Sequence, residues 1–93
     1  MILEIVSPEA TLFKGEISAI SVPGVDGSFQ ILNNHAPIVS ILQKGKVQIT
    51  AESFDLNKEA KNLFTKVNET NYTFEIASGT LEMQNNKVIV LAD

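Results

Sequence analysis

The strongest constraint in this chain is an alternation of apolar and polar residues with a period of two. Val47, Ile49 and Ala51 alternate with Gln48, Thr50 and Glu52. Phe74 and Ile76 alternate with Thr73 and Glu75, and Leu81 and Met83 with Thr80, Glu82 and Gln84. Ile17, Ala19 and Ser21 alternate in the same way with Ser18, Ile20 and Val22. Successive side chains of a strand point to opposite faces, so each run places an apolar row on one side of a pleated strand. Between the runs lie turn signals: Lys14-Gly15, Pro23-Gly24-Val25-Asp26-Gly27, Asn33-Asn34-His35-Ala36-Pro37, Lys44-Gly45 and Asn85-Asn86. The glycines of the second can take positive φ, and the proline of the third cannot donate to a ladder. The paired asparagines suit a two-residue type I′ hairpin. Short strands at this spacing predict an all-β chain, a two-sheet antiparallel sandwich or flattened barrel.

Two strands are apolar on both sides. Ile2 and Val6 share one face and Leu3 and Ile5 the other; Val88 and Val90 oppose Ile89 and Leu91. A strand of a small isolated sandwich should turn one face to water. Either another surface covers these second faces, or they lie under a loop or at a sandwich corner. One segment departs from the period: Leu56, Ala60, Leu63 and Phe64 fall on one face of a helix, with Asp55 or Asn57 available as a cap. A short helix near 57–65 is expected, inside an insertion spanning about 52–71 whose end, 65–71, is a polar connector.

Composition narrows the function. At 93 residues the chain is one domain, expected to run 1–93, and it has no room for a cofactor cleft with a second lobe. It lacks cysteine, which removes disulfides, thiolate metal sites and a cysteine nucleophile together. Its net charge is −4, and all seven basic residues are lysine. Without arginine forks for phosphate, an acidic chain is a poor nucleic-acid binder. The apolar stretch at the N-terminus is too short for a signal peptide, and no run approaches the roughly 20 residues that cross a bilayer. A cytoplasmic location is expected.

No catalytic constellation emerges. Gly24-x-x-Gly27 lacks both the Gly-Lys-Ser/Thr tail and the following helix of a phosphate loop. His35 is the only histidine, and no nucleophile and acid can be placed beside it by sequence. The carboxylates lack calcium-loop spacing. No cofactor, metal or catalytic residue is assigned. A carbohydrate-binding sandwich would need stacking aromatics, and the chain has no tryptophan and one tyrosine, Tyr72.

The segments taken in order, however, resemble a known family. Val6-Ser7-Pro8-Glu9 precedes Leu12-Phe13-Lys14-Gly15-Glu16; then come Val22 to Leu32, Asn34-His35-Ala36-Pro37, Lys44-Gly45-Lys46-Val47, Ser78-Gly79-Thr80-Leu81-Glu82, and Asn86 to Ala92. This order resembles the ε subunit of F-type ATP synthases, whose mitochondrial counterpart is called δ, over about 2–50 and 72–93. The resemblance implies a two-sheet sandwich of about ten strands and a non-catalytic subunit of the rotor stalk, coupling proton flow to ATP synthesis. The implied partners are the γ subunit and the c-ring, on the cytoplasmic face of the bacterial plasma membrane. Carried over residue by residue, the ring-facing positions are Val25, Asp26, Gly27, Ser28, Phe29 and Gln30, with Asn33, Asn34 and His35 beside them. The γ-facing positions are Ser7, Lys44, Gly45 and Lys46. The family usually continues into a two-helix C-terminal domain that inhibits hydrolysis or binds ATP. Here the chain stops at Asp93, so the expectation is coupling without that brake. The alternatives are a stand-alone β-sandwich ligand-binding or adaptor module and, less in keeping with the residues, a small hydrolase acting through His35.

Overall fold

The computed structural model describes residues 1–52 and 63–93. These form ten strands: β1 (Ile2–Val6), β2 (Thr11–Glu16), β3 (Ala19–Gly24), β4 (Gly27–Leu32), β5 (Ile38–Leu42), β6 (Gly45–Thr50), β7 (Thr65–Lys66), β8 (Asn71–Ile76), β9 (Gly79–Gln84) and β10 (Lys87–Ala92). Hydrogen bonding follows one path, β2-β1-β10-β9-β5-β3-β6-β8-β7, with β4 on the far side of β3. The path is almost cut between β5 and β3, which share the single pair Gly24↔Leu42. It therefore folds into two layers at that joint: sheet one is β2-β1-β10-β9-β5, and sheet two is β4-β3-β6-β8-β7.

The rows that alternate in the sequence meet between the layers. Leu3, Ile5, Leu81, Met83, Val88 and Val90 come from sheet one, and Ile20, Val22, Ile31, Val47, Ile49 and Phe74 from sheet two; all belong to one buried cluster. Burial of such side chains stabilises by about 1.5–3 kcal/mol each, which is the force that holds the layers together. Among the described residues no polar side chain is buried. The core is thus filled by shape and apolar area, with no internal polar network.

The structure corrects several expectations. Lys14-Gly15 is not a turn. β2 runs straight through it, Gly15 pairs with Leu3, and a Cβ on Gly15 would lie 2.9 Å from the Phe13 ring. The ring covers the glycine and packs where a side chain would stand, so the residue serves packing; the chain turns instead at Ile17-Ser18. The sandwich is not wholly antiparallel, because β1 pairs parallel with β10. Both are interior strands of sheet one in the hydrogen-bonding order. In the Gly24–Gly27 turn only Gly27 takes a positive φ, 125°. Gly24 is required for space: a Cβ there would meet the Gly27 carbonyl oxygen at 2.8 Å and the Phe29 ring at 2.9 Å. The Asn85-Asn86 hairpin does take left-handed angles at both residues, φ 52° and 58°, as a type I′ turn requires. Most of the helix expected near 57–65 lies outside the described residues. Its last residue, Thr65, opens β7, so the 65–71 segment begins as a short strand on β8 rather than as a connector. Phe64 anchors this strand by packing against Phe74, the rings tilted at 42° with centroids 4.8 Å apart.

Candidate functional site

Strand direction gives the sandwich two ends. At the upper end lie Ser7 after β1, the Val25-Asp26 turn, Lys44-Gly45, Ser78 before β9, and Asp93 after β10. At the lower end lie Met1, Asn33–Pro37 and Asn85-Asn86. The upper end is tied by backbone bonds: Val25 N–H donates to Ile41 O (3.0 Å), Gln43 N–H to Pro23 O (2.8 Å) and Asp93 N–H to Ser78 O (3.2 Å). Ser78 Oγ–H also donates to Asp93 Oδ2 at 2.7 Å.

The nine positions expected to face a ring do not form one loop. Val25 and Asp26 make the tight β3–β4 turn at the upper end. Asn33, Asn34 and His35 follow β4 at the lower end, separated from the turn by the six residues of β4, about 20 Å of strand. What joins them is an edge. Among the described residues β4 pairs with β3 and with no other strand, and Ser28 and Gln30 point outward while Phe29 and Ile31 turn to the core. The nine residues therefore form a continuous rim down one side of sheet two. His35 sits on it exposed, its Nδ1 2.7 Å from Ala36 O. In the neutral ring, a proton on Nδ1 makes this bond to the carbonyl and leaves Nε2 as an acceptor. The other set, Ser7 and Lys44–Lys46, gathers at the upper end, Ser7 on sheet one and the lysines at the start of β6 on sheet two. Ser7 is held in a local turn by Ala10 N–H, which donates to its Oγ at 3.2 Å.

The two outer faces differ, although Leu32 at the end of β4 is exposed on sheet two as well. On sheet two, the row Gln30–Ser21–Gln48–Thr73 crosses four strands without an apolar side chain, and Lys46 stands opposite Glu75. On sheet one, Val6, Leu91, Thr80 and Ile41 form one row, and Lys14, Glu4, Ile89, Glu82 and Val39 the next. Leu91 is 51% exposed, Ile41 63% and Val39 76%. A shallow hollow of about 400 Å³ opens between Ile41 and Leu91, with Gly79 and Thr80 along it and Ser78 and Asp93 at its rim. Among the described residues neither loop nor sandwich corner covers this face.

Sequence reasoning reached Ile2, Val6, Ile89 and Leu91 on this face but passed over Val39 and Ile41. The signal was present: Ile38-Val39-Ser40-Ile41-Leu42 is apolar on both sides of the alternation, as β1 and β10 are. Nothing in the arrangement resembles a catalytic centre. Among the described residues no group of three His, Cys, Asp or Glu side chains converges as metal ligands.

Residues 1–60 match the family described as "ATP synthase, Delta/Epsilon chain, beta-sandwich domain". The chain is 35% identical to the ATP synthase epsilon chain of Chlorobaculum tepidum over 98% of its own length and 86% of that protein. It is 33% identical to the corresponding chain of Chlorobium limicola with the same coverage. With the epsilon chain of Protochlamydia amoebophila it shares 31% identity but spans only 52% of that protein. Among solved structures, it superposes on a chain of the Tetrahymena thermophila mitochondrial ATP synthase central stalk/c-ring with a TM-score of 0.68 at 18% identity. The match covers 99% of this chain and 62% of the other. A chain of the Euglena gracilis mitochondrial ATP synthase OSCP/F1/c-ring structure gives 0.76 at 17% identity, covering 99% and 49%. At these identities the two superpositions speak to the fold.

Proposed function

The chain belongs to the ATP synthase delta/epsilon-chain family, and from that membership we infer that it works as a non-catalytic subunit of the F-type ATP synthase central stalk, docking on γ and on the c-ring. It is then part of a membrane-associated complex, and the cytoplasmic face of the plasma membrane is the side on which it would sit. The 93 residues act as one sandwich unit carrying an insertion over about 52–71.

The observation that carries this reading is the contrast between the outer faces. Sheet one supplies an uncovered apolar row, and sheet two a polar row. Exposed apolar side chains gathered on one face of a small domain mark a protein contact. The row Val6–Leu91–Ile41 also runs between the two places assigned to γ: Ser7 follows Val6 directly, and Lys44 follows Ile41 by three residues. One γ surface would thus cover the upper part of sheet one, with Ser7, Lys44, Gly45 and Lys46 at its margin. The β4 rim, from Val25 to His35, is left for the ring. Polar loops of a ring suit this rim, because Asp26, Ser28, Gln30, Asn33, Asn34 and His35 offer donors and acceptors along a strand edge.

Torque then passes through a rigid body. The two sheets share one core, so force applied at the β4 edge reaches the face of β10 and β5 without a hinge within the described residues. Cysteine crosslinking tests the assignment. Asp26→Cys and His35→Cys should form adducts with ring loops, and Lys44→Cys with γ. Adducts of Asp26→Cys and His35→Cys with the catalytic head alone would contradict the ring assignment.

A further inference from the structure

The β4–β5 connection crosses from sheet two to sheet one at the lower end, and it carries His35. Among the described residues no backbone ladder joins the two sheets there, and the pair that does join them, Gly24↔Leu42, is at the upper end. Two side-chain bonds stand in its place. Asn34 N–H donates to Asn86 Oδ1 at 2.8 Å, across 52 residues of sequence. The Met1 ammonium donates to Asn33 Oδ1 at 2.9 Å, across 32. Asn86 is itself fixed: it has φ 58° in the β9–β10 turn, and its carbonyl accepts Ile2 N–H at 3.1 Å. Asn34 is left-handed too, φ 63°, which turns its N–H toward sheet one, while His35 N–H closes the turn on Leu32 O at 3.2 Å.

We propose that Asn86 is a positioning residue for the ring contact: its side-chain oxygen holds the crossing loop against sheet one and so sets where His35 presents Nε2. This rests on the reading above in which His35 meets the ring. The bond is with the backbone of the residue next to His35, so its loss frees the loop without removing any group that touches the ring. Asparagine serves both demands at this site, since it tolerates the left-handed angle and extends an acceptor.

The two demands can be separated by substitution. Asn86→Gly keeps the turn and removes the acceptor. Asn86→Asp keeps both. Amide hydrogen exchange of Asn34 and His35, followed by NMR, reads the clasp. Affinity for the γ–c-ring rotor complex of the same cell, stripped of this subunit, reads its consequence. A single hydrogen bond of this kind corresponds to roughly 3- to 10-fold. Asn86→Gly should speed Asn34 exchange by that factor while the amides of Met83 and Val90 keep their rates, and should weaken rotor binding by a similar factor. Asn86→Asp should stay within twofold of the parent in both. Unchanged Asn34 exchange in Asn86→Gly would overturn the clasp. Faster exchange with unchanged rotor binding would overturn its positioning role. Failure of the parent protein itself to bind the rotor would instead remove the proposed function on which the inference rests.

Discussion

Replacing Ile41 and Leu91 together by serine should leave the sandwich folded and largely abolish its hold on γ. Both residues stand in register with Thr80 of β9, so they lie two strand spacings apart on the outer face of sheet one, about 9–10 Å. Full burial of such a side chain is worth about 1.5–3 kcal/mol. Leu91 is 51% exposed and Ile41 63%, so docking has about 0.8–1.5 and about 0.9–1.9 kcal/mol left to gain from them. The sum, about 1.7–3.4 kcal/mol, corresponds to roughly 15- to 300-fold in Kd. The cost to the free protein is smaller. Surface substitutions usually stay within about 0.5 kcal/mol each, so Tm should fall by no more than about 8 °C. Calorimetric titration of purified γ with parent and double variant measures the first, and differential scanning calorimetry the second. A matched control, Gln30→Ser with Gln48→Ser on sheet two, should bind as the parent does. A double variant on sheet one that binds γ within twofold of the parent would refute the claim that this face is the docking side.

Three further outcomes follow from packing. Gly79→Ala would place Cβ 2.4 Å from the Leu91 carbonyl oxygen, a backbone atom that cannot swing away, so the β9–β10 pair must part. Overpacking of this order costs about 1–3 kcal/mol, and thermal melting should record a Tm lower by roughly 4–24 °C. Gly27→Ala meets nothing within 4 Å but must hold φ near 125°, so chemical denaturation should register a loss of order 1–3 kcal/mol from backbone strain alone. Phe64→Ala removes the ring that packs against Phe74, and a urea midpoint shift equivalent to about 3 kcal/mol is expected; a shift under about 1 kcal/mol would mean the anchor of β7 is dispensable.

The strands were legible because their apolar rows alternate in register with the pleat. The inward members foreseen at Val47 and Ile49, Phe74 and Ile76, and Leu81 and Met83 are the buried ones. The Asn85-Asn86 turn was legible from the one residue type that combines a side chain with easy left-handed angles. What misled was glycine read only as a turn former. Gly15 and Gly24 are there because Phe13 and Phe29 occupy the space above them, and that depends on where a ring lies, which a period cannot reveal. The parallel β1–β10 pair was hidden for a related reason. It joins residues some eighty-five positions apart, and neither strand carries a local signal of its partner. Of the candidate site, the ordered motifs named a set of residues, but their distribution along an edge rather than in a loop follows from β4 being a strand. The bond from Asn34 to Asn86 had no local signature at all.

Co-purification from the native cell tests the central claim most directly. A tagged copy of this chain should be recovered from gently solubilised membranes with γ and the c-ring in fixed proportion, and with far less γ when Ile41 and Leu91 are serine. Recovery of the parent chain free of both partners, or with as much γ regardless of those two substitutions, would contradict the account.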